Sequence, residues 1–325
     1  MLGNPEINAD WNHKWNTNLP FEIYTSGSTG TPKPHQLWPQ LLKWSAEQTR
    51  KHFIKSDNLH QLIALPIDKV GGFMQWARAK TWNSEFDLCA PSANPLLEYS
   101  GKAKVSSFTP MQLEGILSNP ISKEKLKEFK SILIGGAPIS VKMEAQLLKE
   151  YPNIYWVHTF GMTETYSHFA GRTLGENEYR LIDDTRIDDS PLGMRIKNPC
   201  TNDQWVQTFD RISVLPENRF TWIGRTDFTI NSGGIKIQLE TVEREIHEQT
   251  NWPLSDFFCW YENDAVLGQK LVLFIRSNLG PVPALHFSSK YFQPKHVYIK
   301  ESFVYSTNGK ILRAESASIK TDISI

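Results

Sequence analysis

The sequence predicts an α/β protein of two domains: a large N-terminal domain built on a mostly parallel sheet, over residues 1–226, and a small α+β C-terminal domain, over residues 227–325. Helix and strand patterns alternate through the first two thirds of the chain, which is typical of a parallel sheet covered by helices. With 325 residues, the chain exceeds one average domain. A turn-like segment at Thr226–Phe228 marks the predicted boundary.

Hydrophobic periodicity and turn residues predict the elements of the first domain. Leu37–Phe53 and Gly72–Ala79 are predicted to be helices. Ser140 is a favourable N-cap for a third helix, which runs to about Tyr151. Short apolar runs between turn residues predict buried strands at Phe21–Tyr24, Gln61–Leu65, Ala103–Phe108, Ser131–Ile134 and Ile154–Thr159.

The elements of the last third are shorter. Arg219–Ile223 is predicted to form a hairpin with Val206–Val214. A helix is expected from about Glu240 to Gln249, with Val242 and Ile246 facing inward at helical spacing. Three strands are predicted around this helix, at Ile235–Ile237, Leu271–Ile275 and His296–Ile299.

Composition excludes several classes of protein. Lysine plus arginine and aspartate plus glutamate both number 35, and a nucleic-acid binder would usually show a basic excess. The three cysteines are widely spaced, which indicates neither a disulfide framework nor a Cys-x-x-Cys metal site and fits a cytoplasmic protein. No apolar run approaches the roughly 20 residues that span a bilayer. The polar segment Met1–Asn18 is unlike a signal peptide.

The run Tyr24–Lys33 combines glycines, hydroxyl side chains and one closing lysine after an apolar strand. Glycine allows the backbone to approach a ligand closely, and successive N–H groups can then cradle a polyphosphate. Thr31 and Pro32 separate Gly30 from Lys33, so the spacing is not that of a Walker A loop. From the residues alone, a flexible turn and a phosphate-binding loop are both possible.

The run resembles the phosphate loop of the adenylate-forming enzymes, the family of acyl-CoA synthetases, luciferases and adenylation domains. Other segments resemble further motifs of that family in the family's order. These segments are Leu133–Ser140, Thr159–Thr165, Gln204–Asp210, Gly224–Asp227 with the following Ile230–Ile237, and Thr307–Arg313. The resemblance implies ATP and Mg²⁺ as cofactors and coenzyme A as co-substrate.

The resemblance also implies roles for single residues. Phe160 would pack on the adenine beside Gly161, Thr163 would contact the nucleotide phosphate, and Glu164 would bind Mg²⁺, which usually takes few protein carboxylates. The residues expected to hold the phosphates are Thr25, Ser26, Gly27, Ser28, Thr29, Gly30 and Lys33, and those expected to flank the adenine are Gly136, Ala137 and Pro138.

The later motifs complete the nucleotide site that the resemblance implies. Asp210 would accept hydrogen bonds from the ribose hydroxyls. Phe209 stands where the family usually has glycine, but Asp210 lies fifteen positions before Arg225, as in many members of the family. The earlier Thr201–Asp203 is an alternative to this segment. Arg225 would contact ribose or phosphate, and Asp227 would be an interdomain hinge. Lys310 would be the catalytic lysine between carboxylate and α-phosphate.

The implied activity is that of an AMP-forming acid–CoA ligase. Within the family, the chain most resembles the o-succinylbenzoate–CoA ligases of menaquinone biosynthesis, on the segments 65–72, 75–79 and 161–168. That acid carries a second carboxylate, for which Arg78 is the candidate cation. Ser167 and His168 would line the acyl pocket, as would Lys69, which replaces a histidine of the family. A surface arginine and a core histidine are the alternatives for Arg78 and His168.

The chain departs from the family in length, because typical members have well over a hundred residues before the phosphate loop and this chain has about two dozen. An N-terminally shortened fold is therefore expected, with a homodimer as one possible compensation. Two other functions remain open on the sequence: a CoA ligase for another aromatic or fatty acid, and a catalytically silent acyl-nucleotide binder.

Overall fold

The computed structural model describes residues 5–25, 33–305, 311–318 and 323–324. The chain divides into a first unit, residues 1–188, 195–206 and 214–221, and a second unit, residues 189–194, 207–213 and 222–325. The predicted C-terminal domain, 227–325, falls within the second unit, which also takes in three earlier segments. The predicted boundary after residue 226 stays a prediction.

The first unit contains helices and strands in alternation. Its helices are α1 (Pro5–Thr17), α2 (Pro39–Phe53), α3 (Val70–Thr81), α4 (Pro110–Leu117), α5 (Pro120–Leu126) and α6 (Val141–Glu150). Its strands begin with β1 (Phe21–Thr25), β2 (Lys33–Leu37), β3 (Gln61–Ile63), β4 (Phe86–Leu88), β5 (Val105–Phe108), β6 (Ser131–Ile134), β7 (Tyr155–Gly161), β8 (His168–Thr173) and β9 (Tyr179–Leu181). A local signal fixes the start of α6. The hydroxyl oxygen of Ser140 accepts a hydrogen bond from the backbone N–H of Met143, as its N-cap position predicts.

The large sheet of this unit is mixed. Strands β4, β3, β5, β6 and β7 lie side by side in parallel. Strands β8 and β9 then continue the sheet antiparallel to their neighbours, followed by the residues of β14 (Arg219–Arg225) that pair with β9. The prediction of a large sheet is confirmed, but the sheet is mixed rather than mostly parallel, because the strands after β7 pair in the antiparallel sense.

Successive residues of the central strands face opposite sides of the sheet, as the strand period of two requires. In β3, Leu62 belongs to the apolar cluster that contains Leu113 and Leu147 from the helices on one side. Its neighbour Ile63 belongs to the cluster that contains Leu42 and Trp76 on the other side. Both faces are therefore covered by helices, which is the usual setting of parallel strands.

The second unit is smaller and is built around α7 (Leu239–Thr250), on which Val242 and Ile246 are fully buried as predicted. Its sheet has the order β16-β15-β18-β19-β20, and β17 also pairs with β18. The bounds of these strands are β15 (Thr229–Ser232), β16 (Ile235–Gln238), β17 (Phe257–Asp264), β18 (Gly268–Arg276), β19 (His296–Lys300) and β20 (Ile323–Ser324). A short helix, α8, spans Arg313–Ser318.

Two predicted elements differ from the observed ones. Leu37 ends strand β2, and the helix begins at Pro39, whose fixed φ suits the first turn of a helix. Val206–Gln207 forms strand β12, which joins β10 (Arg186–Ser190) and β11 (Gly193–Lys197) in a separate three-stranded sheet. The strand before β14 is therefore the shorter β13 (Asp210–Leu215). Among the described helices, none is long and apolar enough to cross a membrane.

Candidate active site

The predicted phosphate run lies between two paired strands. Strands β1 and β2 form an antiparallel hairpin in which Thr25 is the partner of Lys33. The backbone at the two ends of the run is thus held side by side. Residues 26–32 lie outside the described residues, as do the side chains of Thr25 and Lys33, so the predicted roles of this run stay predictions.

The predicted adenine turn follows β6 at the carboxyl edge of the parallel strands. Crevices at this edge are the usual ligand sites of open α/β sheets. Gly136 has a φ of +85°, a left-handed conformation that favours glycine. The hydroxyl of Thr159 on β7 donates to the carbonyl of Ile134, over 2.9 Å, and joins the ends of the two strands. Ala137 is half-buried and Pro138 exposed.

His158 on β7 is buried between the adenine turn and Tyr179. Its Nε2 is 3.1 Å from the carbonyl oxygen of Ala137, and its Nδ1 is 2.8 Å from the hydroxyl of Tyr179. A carbonyl can only accept, so Nε2 carries the proton and Nδ1 accepts from the tyrosine. Burial lowers the pKa of His158 to about 4, although the bond to Ala137 opposes this. A neutral ring therefore fixes the Ala137 carbonyl.

His158 gives a prediction for the pH dependence of stability. The ordinary histidine pKa of 6.5 falls to about 4 in the folded state, so the unfolded chain binds the proton more readily. The contribution of neutral His158 to the free energy of unfolding is complete above pH 6.5 and is lost as the pH falls towards 4. It amounts to about 3 kcal/mol. In urea unfolding from pH 7.5 to 4.5, His158→Gln is expected to flatten the decline in the free energy of unfolding. His13 is exposed, so His13→Gln serves as the control. If the free energy of unfolding of His158→Gln fell with pH in parallel with that of the wild type, the prediction would be contradicted.

Phe160 and Gly161 end β7 at a bulge against β8. The Phe160 ring is half-buried and meets the rings of Phe169, Tyr179 and Phe220 edge-on, with centroids 5.4–5.6 Å apart. A Cβ on Gly161 would lie 2.3 Å from the backbone of His168, so only glycine fits between the two strands. The predicted contact of Phe160 with adenine stays a prediction.

Thr163 and Glu164 lie on a 3-10 turn, Thr163–Thr165, directly after this bulge. Both side chains are half-buried, and no described residue makes a hydrogen bond or ion pair with either. Among the described residues, no group of three or more histidine, cysteine, aspartate or glutamate side chains could hold a metal ion. A lone carboxylate fits a Mg²⁺ ion that takes its remaining oxygen ligands from ATP and water.

Arg78 is a buried cation without a carboxylate partner among the described residues. It lies on α3, and its guanidinium donates to the hydroxyls of Ser107, over 3.3 Å, and Ser167, over 2.8 Å. Its Nε is buried and has no hydrogen-bond partner among the described residues. Burial lowers the pKa of Arg78 to about 10, so the group remains charged at neutral pH. The alternative of a surface arginine is therefore wrong.

His168 completes this cluster, and Thr49 on α2 sets its tautomer. The Thr49 hydroxyl donates to the carbonyl of Ser45, over 2.9 Å, so its oxygen accepts from Nε2 of His168, over 2.8 Å. Nδ1 of His168 is thus unprotonated and lies 3.3 Å from the Ser167 hydroxyl and 3.5 Å from Arg78. Burial, and then the charge of Arg78, hold the pKa of His168 well below its usual value. Every hydrogen-bond partner of Arg78 among the described residues is neutral.

Lys69 lies apart from these hydrogen bonds, at the N-cap of α3. Its ammonium is 3.7 Å from the carboxylate of Asp68, and its side chain is partly exposed. The predicted role of Lys69 in the acyl pocket stays a prediction.

Asp210 belongs to the second unit, where Trp222 orients it. Its Oδ1 accepts from the indole nitrogen of Trp222, over 2.9 Å, and its backbone N–H donates to the hydroxyl of Thr208, over 3.0 Å. Its Oδ2 accepts no hydrogen bond from a described residue, so one carboxylate oxygen remains for a ligand. Phe209 adopts a negative φ and is more than half exposed, so this backbone does not require the family's glycine.

Arg225 and Asp227 are paired with each other in the same unit. The guanidinium donates to both carboxylate oxygens of Asp227, over 2.9 and 2.7 Å. Burial lowers the pKa of Arg225, but the bond to Asp227 outweighs it and the pKa is raised. The rings of Phe209 and Phe228 lie 5.7 and 5.8 Å from the guanidinium carbon. The predicted ligand contact of Arg225 and the hinge at Asp227 stay predictions.

Lys310, the predicted catalytic lysine, lies outside the described residues. Arg313 of the same motif is described. Its guanidinium donates to Glu243, over 2.8 Å, and lies 4.0 Å from the ring centroid of Phe228. The motif's last residue is therefore anchored in the core of the second unit.

Comparison with known proteins identifies the family. The sequence profile of the AMP-binding enzymes matches residues 9–196, more than half of the chain. The chain belongs to the AMP-binding enzyme family. The match covers the predicted adenine turn, the Phe160–Glu164 motif and the Arg78 cluster. The resemblance inferred from the sequence motifs is thereby confirmed.

Relatives within the AMP-binding enzymes include proteins of similar and of greater length. The acyl-CoA synthetase (AMP-forming)/AMP-acid ligase II-like protein from Dyadobacter fermentans is 31% identical, over 98% of this chain and 95% of that chain, with a TM-score of 0.64. The 2-succinylbenzoate–CoA ligase of Haemophilus influenzae is 29% identical over 283 residues, which are 78% of this chain and 58% of that protein. This chain thus spans little more than half of the length of that relative.

A solved structure shows the same fold at lower identity. The o-succinylbenzoate CoA synthetase of Bacillus subtilis, in complex with its acyl-adenylate intermediate, is 18% identical over 92% of this chain and 69% of that chain, with a TM-score of 0.75. At this identity the similarity concerns the fold alone. The expected adenylate-forming fold is confirmed, with a large sheet, here mixed, and a smaller domain; the expected N-terminal shortening stays a prediction.

Sequence motifs missed four residues that support the candidate site. These are Thr49, His158, Tyr166 and Tyr179. Each acts through a partner far away in the sequence, 119 positions for the pair Thr49–His168 and 21 for His158–Tyr179. No local spacing signals such pairs.

Proposed function

We propose that this member of the AMP-binding enzyme family is an AMP-forming acid–CoA ligase, and that its acid is o-succinylbenzoate. The observation that carries the choice of acid is Arg78, a buried cation whose described hydrogen-bond partners are all neutral. A buried charge is costly unless it is paired, so a ligand with a second carboxylate would complete the cluster. o-Succinylbenzoate has one carboxylate to react and one to pair. The name of the Haemophilus influenzae relative supports the same acid.

The proposed reaction has two steps. An oxygen of the acid's carboxylate attacks the α-phosphorus of ATP, the bond to the bridging oxygen breaks, and pyrophosphate leaves. The sulfur of the coenzyme A thiolate then attacks the acyl carbon of the mixed anhydride, and AMP leaves. The first step brings two anions together, so fixed cations and hydrogen-bond donors are its main requirement. Holding the reactants in line supplies much of the remaining rate enhancement.

The chain offers residues for each requirement. Glu164 would hold Mg²⁺, which, when bound with ATP, neutralises phosphate charge. Lys310 would lie between carboxylate and α-phosphate, and the open oxygen of Asp210 would accept from the ribose. Phe160 and the turn fixed by His158 would hold the adenine. The remaining proposed contacts with phosphate or ribose come from Thr163, Lys33, Arg225 and the run Thr25–Gly30.

ATP–pyrophosphate exchange tests this function. Labelled pyrophosphate is expected to enter ATP when o-succinylbenzoate is present, and Lys310→Ala is expected to abolish the exchange. Exchange with benzoate or a fatty acid but not with o-succinylbenzoate would overturn the choice of acid. ATP binding without exchange for any acid would indicate an acyl-nucleotide binder. Chromatographic detection of the acyl-CoA thioester tests coenzyme A as the acceptor.

A cytoplasmic location and a homodimer are part of the same proposal. The three cysteines, Cys89, Cys200 and Cys259, are all free thiols, which suits a reducing compartment. Sedimentation equilibrium of the purified chain tests the dimer: a single species of 37.3 kDa would exclude it.

A further inference from the structure

Tyr166 has a backbone conformation that is unusual for an aromatic residue. Its φ is +64°, in the region where a Cβ meets the neighbouring backbone. The other described non-glycine residues with positive φ are asparagines, aspartates and one glutamate. The conformation is strained for a residue with a Cβ, and such strain concentrates at functional sites. A tyrosine in this place must therefore be held by its side chain.

The Tyr166 hydroxyl bridges two backbone groups that are about 130 residues away in the sequence. It accepts from the backbone N–H of Trp38, over 3.2 Å, and donates to the carbonyl of Gln36, over 3.1 Å. Both groups lie at the corner where β2 ends and α2 begins. Burial raises the pKa of Tyr166 to about 12, so the phenol keeps its proton, and with it both hydrogen bonds, throughout the neutral range.

The Tyr166 ring reinforces this bridge. It is 4% exposed and belongs to the same apolar cluster as Phe21, Ile23 and Leu37, which are the inward-facing residues of the β1–β2 hairpin. The loop that carries Tyr166 is therefore attached to the hairpin by packing as well as by hydrogen bonds.

Each side of the bridge leads to a predicted part of the triphosphate site. Tyr166 closes the turn of Thr163 and Glu164, since its N–H donates to the Thr163 carbonyl over 2.9 Å. Gln36 lies three residues after Lys33 on β2, about 10 Å along the strand from the end of the phosphate run. The bridge thus links the turn that carries Glu164 to the strands that flank the run.

We propose that Tyr166 is a positioning residue for the triphosphate of ATP, which sets the turn of Thr163 and Glu164 against the β1–β2 hairpin. This inference rests on the proposed function only in that the bound nucleotide is ATP. It adds a residue that is not itself a predicted ligand, but whose hydroxyl holds the turn of Glu164 against the strands that flank the phosphate run.

Tyr166→Phe tests the proposal, because it keeps the ring and removes both hydrogen bonds of the hydroxyl. Calorimetric titration with MgATP is expected to show binding weakened about tenfold, the order of effect expected when two hydrogen bonds are lost. KM for ATP should rise similarly while KM for the acid stays unchanged. Hydrogen exchange of residues 33–37 should also quicken without nucleotide.

Tyr99→Phe is the matched control. Its hydroxyl likewise donates to one group, Asp87, and accepts from one backbone N–H, that of Ala103, in the same unit. The melting temperature of both variants should fall by a similar amount, but only Tyr166→Phe should bind MgATP more weakly than the wild type. Equal MgATP binding by Tyr166→Phe and the wild type would overturn the inference. Failure of the wild-type chain to bind MgATP would instead overturn the proposed function.

Discussion

Replacing Glu164 by glutamine is expected to lower the rate of ATP–pyrophosphate exchange by about 10²–10³-fold, the usual effect of removing one group that stabilises charge in the transition state. The substitution keeps the size of the side chain and removes its charge. No described residue pairs with this carboxylate, so the change breaks no ion pair of the described structure and should leave the melting temperature within about 1 °C. The loss should therefore be one of function rather than of folding.

A magnesium titration distinguishes a role of Glu164 as a Mg²⁺ ligand from a general effect of losing a negative charge. The Mg²⁺ concentration that gives half-maximal exchange should rise for Glu164→Gln, because glutamine is a weaker ligand than a carboxylate. Glu114 lies on the exposed face of α4, and Glu114→Gln removes a charge from the same unit. This control should change neither the exchange rate nor the Mg²⁺ concentration that gives half-maximal exchange. If Glu164→Gln retained the wild-type rate and magnesium dependence, Glu164 would not be a metal ligand.

The elements that could be predicted from the sequence are those whose signal is local. Ser140 caps α6 because its hydroxyl reaches a backbone N–H only three residues away. Val242 and Ile246 are buried because their spacing places them on one face of α7. In both cases, the residues that decide the conformation are near neighbours in the chain.

Strand β2 could not be predicted because its cause is distant. Lys33–Leu37 has the sequence Lys-Pro-His-Gln-Leu, which lacks the alternation of a half-buried strand. It forms through pairing with β1 across the phosphate run. The short strands β10, β11 and β12 likewise depend on one another, and such non-local pairing leaves little trace in a single sequence.

The candidate site divides in the same way. Its motifs could be predicted because each is a contiguous stretch of the sequence, and Phe160–Glu164, at the end of β7, is an example. The residues that hold those motifs in place come from elsewhere in the chain: Thr49 from α2, and Tyr179 from β9. Arg78 was predicted to be the partner of a carboxylate, but its burial among neutral groups became visible only in the structure.

Arg78→Met should weaken the binding of o-succinylbenzoate without lowering the stability of the fold. Loss of a charge-assisted pair with the second carboxylate is expected to raise KM for this acid about 100-fold, which corresponds to about 2–3 kcal/mol. KM for ATP should not change. Arg78→Lys keeps the charge but not the planar donor geometry, so its KM should lie between those of the wild type and Arg78→Met.

The stability of Arg78→Met decides between a ligand-binding and a structural arginine. The buried guanidinium has no carboxylate partner among the described residues, so its replacement by an apolar side chain of similar length should leave the melting temperature unchanged or raise it. Ser167 and His168 still have partners after the substitution, because the Ser167 hydroxyl can donate to His168 and His168 remains bonded to Thr49. An arginine that served only the fold would show the reverse: a lower melting temperature, measured by calorimetry, with KM for the acid unchanged. Benzoate, which lacks the second carboxylate, provides the matching control substrate, since any exchange it supports should be equal in the wild type and Arg78→Met.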